Sequence, residues 1–252
     1  MHRILFEIGP LTFYSYGFFV AVGFLLAAFL SVREARRSGV PENDMMDILL
    51  SVLAGGLLGG RLLFVLLNRE MFMAEPLSII MLQEGGLAFH GALAGGAAAG
   101  ILAVRVKRIP VLKMADLIAP YIALGHSIGR IGCYFNGCCY GRVIESGPGV
   151  TFPGETFMRI PVQLYSSLAL LFIFIILIYL RRLRGIPRGG VFAAYLLIYG
   201  FFRFFVEFLR ADNPAVYAGL TLSQLISAGM LLVGVLMLAV LFLSARPGRH
   251  AE

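Results

Sequence analysis

Seven long apolar stretches, separated by short polar connections, constrain the fold of this sequence more than any other feature. A helix that crosses the hydrocarbon core of a bilayer needs roughly 20 mostly apolar residues. Hydrophobic residues make up 59% of the 252-residue chain and charged residues only 14%, a balance that soluble domains do not use. We therefore predict an all-α, polytopic membrane protein that forms a single transmembrane domain over residues 1–252. The predicted spans are 13–32, 48–67, 90–106, 115–135, 163–180, 191–209 and 220–244.

Two of these stretches need a separate argument. The third is short and contains GALAGGAAAG, but we keep it as a span because small residues let helices pack closely in lipid. The first is followed by Arg33, Arg36 and Arg37, whereas a cleaved signal peptide carries its positive charge before the apolar run. We therefore expect the first stretch to be retained as a helix.

The distribution of Lys and Arg predicts how the chain is oriented. Cytoplasmic loops carry an excess of these residues, and alternate connections of this chain differ sharply in their number. The N-terminus is therefore expected outside and the C-terminus in the cytoplasm, and the net charge of +7 needs no nucleic-acid partner. The basic connections hold Arg33, Arg36, Arg37, Arg105, Lys107, Arg108, Lys113, Arg181, Arg182, Arg184, Arg188, Arg246 and Arg249, and the others hold Arg3, Arg69, Arg142, Arg159 and Arg210.

Three arginines remain inside the predicted spans: Arg61, Arg130 and Arg203. A charge within the hydrocarbon is costly, so such a residue is usually paired or functional. In the predicted orientation all three lie toward the outer ends of their helices, as do His90 and Tyr16. We therefore expect five polar groups from five helices at one depth, in the outer half of the bilayer.

The sixth stretch contains YGFFRFFVEFLR, which places Tyr199, Arg203, Glu207 and Arg210 on one helical face. One interpretation is a structural Arg203–Glu207 pair that joins helices, with Arg210 reaching out to the interface. The other interpretation rests on the balance of charges, because Glu207 is the one evident carboxylate near Arg61, Arg130 and Arg203. A cationic surplus at headgroup depth favours a phospholipid phosphate, which arginine binds through forked hydrogen bonds.

A glycine-rich segment, GHSIGRIGCYFNGCCYG, runs from Gly125 to Gly141. So many glycines are unfavourable in a plain helix. They predict close backbone approach and a turn or re-entrant stretch around Arg130, at a depth where irregular backbone must line a cavity.

The same segment resembles the signature of the bacterial prolipoprotein diacylglyceryl transferases, G-R-x-G-N-F-x-N-x-E-x-x-G. Cys133 and Cys138 stand where that pattern has Asn and Glu, while Arg130, Asn136 and Gly141 are in register. Further similarities to the family follow in order along nearly the whole chain, although Ser166 replaces a Glu that often follows Q-L-Y. They are Tyr16-Gly17, Gly60-Arg61, GGLAFHG (85–91), PVQLY (161–165) and YGFFRFFVEFLR.

The resemblance implies a catalytic membrane domain that moves the diacylglyceryl group of phosphatidylglycerol onto the thiol of a prolipoprotein lipobox cysteine, releasing glycerol phosphate. It implies a bacterial inner-membrane location, a site facing the outer leaflet, and membrane lipid and the prolipoprotein signal peptide as partners. For catalysis we expect Arg203 at the leaving group, His90 as general base and Tyr16 as an orienting group. His90 could instead make a structural hydrogen bond, Tyr16 could be an interfacial tyrosine, and Arg61 could be structural. The residues expected to bind substrate are Arg130, Arg61, Asn136, Gly129, Glu207 and Arg210.

No cofactor or metal is expected. Cys133, Cys138 and Cys139 have a C-x4-C-C spacing that is unusual for zinc, and any disulfide would have to include Cys133. His126 is interpreted as a packed residue.

Three other functions fit this sequence less well. A transporter or scramblase would be expected to show internal repeats or paired broken helices, and the sequence indicates neither. A retinal protein needs a lysine in the middle of the membrane, but Lys107 and Lys113 both lie in one loop. A metal-dependent phosphatidyl transferase needs clustered aspartates, and the spans contain only Asp116.

Overall fold

The computed structural model describes residues 3–9, 11–81 and 85–244. Within them, seven helices are long and apolar enough to cross a membrane, which confirms the predicted all-α, polytopic class. Arg246 and Arg249 lie outside the described residues, and the orientation of the termini stays a prediction. The helices are α1 (Ser15–Arg37), α2 (Glu42–Leu67), α4 (Phe89–Val106), α5 (Val111–Asn136), α6 (Val162–Arg182), α7 (Gly190–Val206, continued by a 3-10 turn, Glu207–Leu209) and α8 (Leu222–Ser244).

Short elements fill the connections between these helices. The sequence did not predict them, because strands of two to five residues are too short to show a periodic pattern. The first two strands form an antiparallel hairpin. The next three form a small sheet in which the last of the three lies in the middle, and the remaining two strands pair with each other. Their bounds are β1 (Ile4–Ile8), β2 (Leu11–Tyr14), α3 (Arg69–Ala74), a 3-10 helix (Pro76–Ile80), β3 (Val143–Ile144), β4 (Val150–Thr151), β5 (Met158–Arg159), β6 (Ala215–Tyr217) and β7 (Leu220–Thr221).

The chain divides into two compact units, and the boundaries fall inside α1 and α5. The smaller unit comprises residues 31–114. The larger unit comprises residues 1–30 and 115–252. A single catalytic domain over 1–252 stays a prediction.

In the smaller unit, α2 and α4 approach so closely that only glycine fits between them. A Cβ atom on Gly59 would lie 2.4 Å from the Gly91 carbonyl oxygen, and one on Gly95 would lie 2.3 Å from that of Gly55. Both distances are far below van der Waals contact. The glycine- and alanine-rich third span is therefore a packing surface for α2, as small residues in lipid predict.

Helix α5, most of which belongs to the larger unit, is continuous from Val111 to Asn136. The prediction of a turn or re-entrant stretch around Arg130 is therefore wrong. The expected close approach of backbone is present instead. A Cβ on Gly125 would lie 3.0 Å from the Gly23 carbonyl oxygen of α1, and one on Gly132 would lie 2.9 Å from Phe19 Cβ. The glycines form a helix face for α1, and this packing outweighs their low helix propensity.

Asp116 fixes the start of α7 within the same unit. Its two carboxylate oxygens accept the backbone N–H groups of Gly189 at 2.5 Å and Phe192 at 2.8 Å. These groups belong to the first turn of α7, where backbone donors lack partners inside the helix. A carboxylate used as a helix cap sets where α7 begins, and thus the level of the polar residues further along that helix.

Candidate active site

Arg203 and Glu207 lie one turn apart in the last part of α7 and its 3-10 continuation. Arg203 Nη1 donates to Glu207 Oε2 at 2.5 Å, and Arg203 Nη2 donates to Ser223 Oγ of α8 at 2.8 Å. The Glu207 side chain is 0% exposed and that of Arg203 is 12% exposed. The helical spacing therefore predicted the pair correctly, and the pair is buried.

Glu207 also accepts hydrogen bonds from two groups that the sequence did not indicate. Thr221 Oγ1 donates to Glu207 Oε1 at 2.9 Å, and Asn213 Nδ2 donates to the same oxygen. Both donors come from the connection between α7 and α8, where no periodic pattern links them to the helix. Glu207 thus joins α7, the loop and β7, and its charge is satisfied within the protein.

Arg210 follows the end of the α7 span and is held locally. Its Nε and Nη2 atoms donate to the two Asp212 carboxylate oxygens at 2.9 and 2.7 Å, and Glu207 lies 3.8 Å away. Burial works against the charge of Arg210, but the hydrogen bonds to Asp212 outweigh it and raise the pKa of Arg210 above its usual range. The Arg210 side chain is only 7% exposed. Arg210 is therefore paired within the protein, and its expected position at the membrane interface stays a prediction.

Arg130 differs from these two arginines because no carboxylate among the described residues pairs with it. Its Nε donates to His126 Nε2, one turn earlier in α5, at 3.1 Å. The terminal nitrogens make no hydrogen bond to any described residue, and the side chain is partly exposed. The His126 ring packs edge-on against Tyr199 of α7 at 5.5 Å. His126 is therefore packed, as expected, and its imidazole also positions Arg130.

The cationic side chains of the larger unit share one region. Arg203 interacts electrostatically with both Arg130 and Arg210, and Arg130 interacts with Tyr16 of α1. Of the cluster's three guanidinium groups, two face carboxylates, and Arg130 faces none among the described residues. The predicted surplus over Arg61, Arg130 and Arg203 together stays a prediction, because Arg61 belongs to the other unit.

The connection after α5 ties Arg130's helix to the end of α7. Gly141 N–H donates to the Ile160 carbonyl at 3.0 Å, and Arg142 N–H donates to the Leu209 carbonyl at 2.9 Å. A Cβ on Gly141 would lie 2.7 Å from the Ile160 oxygen, so this position requires glycine. Asn136 is the last residue of α5. The position of a Cβ on Gly129 is open space, and the binding roles expected for these two residues stay predictions.

Gln163 is a buried polar residue that the sequence interpretation did not select. Its Nε2 donates to the Cys138 carbonyl at 2.7 Å, and its Oε1 has no hydrogen-bond partner among the described residues. The PVQLY similarity contained this residue, and burial at 1% exposure now distinguishes it from its neighbours. Its amide fixes the loop that follows α5.

Arg61 belongs to the smaller unit and is buried there, with 8% of its surface exposed. Its guanidinium lies 5.2 Å from the Phe72 ring centroid and donates hydrogen bonds to five backbone carbonyls. These contacts favour the structural role among those expected for Arg61, and a part in substrate binding stays a prediction. The guanidinium donates to the backbone carbonyls of Ser78, Ile79, Met81, Gly85 and Gly86.

His90 and Tyr16 occupy the first turns of two different helices. His90 is the second residue of α4 in the smaller unit, and its ring contacts Phe89 at 5.6 Å. Tyr16 is the second residue of α1 in the larger unit and is 42% exposed. The catalytic roles expected for both residues stay predictions.

The described residues form an all-α, polytopic membrane protein with a buried ion pair and a guanidinium that has no carboxylate partner among them, and charges inside a membrane are usually paired or functional. A family model described as prolipoprotein diacylglyceryl transferase matches residues 3–240, and the chain belongs to this family. A relative from Geobacter sulfurreducens is 38% identical over 244 residues, covering 93% of each chain. One from Clostridium tetani is 35% identical over 241 residues, covering 93% of this chain and 96% of the relative. Both relatives are named phosphatidylglycerol–prolipoprotein diacylglyceryl transferase.

Proposed function

We propose that this protein transfers the diacylglyceryl group of phosphatidylglycerol to the thiol of the lipobox cysteine of a prolipoprotein. This reaction is the first step of bacterial lipoprotein maturation. The bond between the glyceryl carbon and the phosphate oxygen breaks, and a carbon–sulfur bond forms. The thiol proton passes to a base, and glycerol phosphate leaves with the electron pair of the broken bond.

The observation that carries this proposal is the unmatched guanidinium of Arg130. Its terminal nitrogens have no acceptor among the described residues, although the residue lies within a membrane-spanning helix. Two parallel N–H groups fit two oxygens of a phosphate diester. Arg130 would therefore hold the phosphatidylglycerol headgroup before transfer.

Arg203 is suited to the leaving group because it is held in place before the reaction. Glu207 and Ser223 each bind one of its terminal nitrogens, and its remaining N–H groups can face a phosphate. Fixed donors in a site with little water stabilise developing charge most strongly. Glu207 acts by positioning Arg203 and does not contact the lipid in this scheme.

The remaining assignments continue the sequence-based hypotheses. His90 would take the thiol proton, since imidazole titrates near neutral pH, and Tyr16 would orient the phosphate. The expected location is the bacterial inner membrane, with the site open to the outer leaflet. The basic residues of the alternate connections support that orientation.

A transfer assay with phosphatidylglycerol and a lipobox peptide tests the proposal. Arg130→Ala and Arg203→Ala should each lower turnover by about 100- to 1,000-fold, the usual effect of removing one donor to a developing anion. Arg36→Ala is the matched control, because Arg36 is exposed and pairs only with surface carboxylates among the described residues. Arg130→Ala or Arg203→Ala activity equal to that of the control would refute the assigned role.

The role of His90 has its own test. A His90→Gln variant should lose the limb of the pH–rate profile that reports the base. An unchanged profile would remove His90 from that role without affecting the two arginine assignments.

A further inference from the structure

Three cysteine thiols converge at the C-terminal end of α5. Cys133 is buried in the last turns of the helix, and Cys138 and Cys139 follow the helix end. All three are free thiols, and their sulfur atoms lie within 4.8 Å of one another. The described residues contain no other such group of His, Cys, Asp and Glu.

A tight reversal of the backbone brings the three thiols together. Gly137 ends α5 with a positive φ of 70°, and Cys138 N–H donates to the Cys133 carbonyl at 3.1 Å. Cys139 then adopts a φ of 62°, a left-handed backbone conformation that residues other than glycine rarely adopt. Such strain is typical of sites where side-chain placement matters. The C-x4-C-C spacing is unusual for zinc, but this reversal of the backbone brings the three sulfur atoms into one compact triad.

We propose that Cys133, Cys138 and Cys139 bind one thiophilic, closed-shell metal ion, with Zn²⁺ as the reference ion. Zinc–sulfur bonds of about 2.3 Å in a tetrahedral site place sulfur atoms roughly 3.8 Å apart, so the thiols need to close by no more than about 1 Å. Three S–H protons leave as three metal–sulfur bonds form. The metal keeps its oxidation state, so no oxidant or reductant is needed.

The surroundings of the triad support an anionic metal–thiolate centre. Arg130 and Arg210 both interact electrostatically with Cys139. Three thiolates on a divalent ion carry one net negative charge, which these cations stabilise. Gln163 fixes the loop through the Cys138 carbonyl, as outer-shell hydrogen bonds do around metal ligands. The centre would join the end of α5 to its loop beside the cationic region.

The test uses the full-length protein in detergent, reduced and freed of any affinity tag. It is titrated with Zn²⁺ and separately with Co²⁺, whose thiolate complexes absorb in the near ultraviolet. We expect one ion per chain, and protection of the thiols from a thiol reagent when zinc is bound. Cys139→Ser should weaken binding by at least about 10-fold, since even outer-shell groups are worth roughly 10- to 100-fold.

The matched control is Met73→Ser, which removes an exposed sulfur-bearing side chain from the smaller unit and leaves all three thiols. It should bind zinc with wild-type affinity. A zinc-dependent rise in melting temperature should occur in the wild type and be absent from the triple serine variant. Zinc binding by the wild type no tighter than by the triple serine variant would overturn the proposal. A disulfide found in the protein as purified, before the reduction step, and leaving one titratable thiol would also overturn it. None of these readouts depends on the proposed transfer reaction.

Discussion

Replacing Glu207 with Gln is the most direct test of how the arginine cluster is held. The substitution keeps the shape of the side chain and one acceptor oxygen for Thr221 and Asn213. It removes the negative charge that faces Arg203 at 2.5 Å and Arg210 at 3.8 Å. Arg203 would keep its hydrogen bond to Ser223 but lose its charged partner.

The burial of the pair sets the size of the effect. The Glu207 side chain is 0% exposed and the Arg203 side chain 12% exposed, so solvent screens their interaction little. Removing one partner of a buried ion pair costs about 3–5 kcal/mol, and we expect the lower end because Arg203 has some access to solvent. For a chain of this size, about 3 kcal/mol corresponds to a melting temperature roughly 6–12 °C lower.

The assay is the temperature at which half of the detergent-solubilised protein loses its monodisperse chromatographic peak. Glu42→Gln is the matched control, because it makes the same chemical change in the exposed pair with Arg36. An exposed pair contributes about 0–1 kcal/mol, so the control should barely shift the midpoint. Equal midpoints for the two variants would refute the idea that Glu207 anchors Arg203. Glu207→Gln should also lower turnover more than it changes the KM for lipid.

Three further substitutions test separate parts of the fold by the same thermal assay, and each cost is a decrease in the free energy of unfolding. Gly59→Ile should cost about 1–3 kcal/mol, because a Cβ there overlaps α4. Gly229→Ile is its control and should be nearly neutral, because nothing lies within 4 Å of a Cβ at that position. Arg61→Lys should cost about 2–3 kcal/mol, since an ammonium cannot reach all the carbonyls that the guanidinium holds. Asp116→Ala should cost about 1–2 kcal/mol by leaving the first donors of α7 without their cap. A midpoint within 1 °C of wild type, about the error of such a measurement, would contradict the corresponding contact.

The sequence predicts most of the helical architecture because span length and the spacing of residues on a helix are local properties. Arg203 and Glu207 are four residues apart, so any continuous helix places them together, and the structure has such a helix. Asn213 and Thr221 were missed because they reach Glu207 through an irregular loop and β7. No periodic pattern encodes where a loop of this kind turns back.

The error at Arg130 has a different physical origin. Glycine lowers helix propensity, and the density of glycine in 125–141 predicted irregular backbone. Gly125 and Gly132 instead face α1, where the absence of a Cβ permits contact between backbones. Propensity describes an isolated helix, whereas the free energy of packing against α1 decides the conformation in the folded protein.

The three arginines within the apolar spans show why the partners of an intramembrane charge cannot be predicted from sequence alone. Each lies in a helix apolar enough to span a membrane, yet their guanidinium groups have different surroundings. Backbone carbonyls accept hydrogen bonds from Arg61, a buried carboxylate pairs with Arg203, and the one acceptor that Arg130 has among the described residues is the imidazole of His126. Loops distant in sequence supply the first set of partners, so composition cannot predict it. Among the described residues, no carboxylate offsets the cost of moving the Arg130 guanidinium from water into the membrane protein. A bound phosphate would offset that cost, and for this reason we propose Arg130, rather than Arg61, as the residue that holds the anionic lipid.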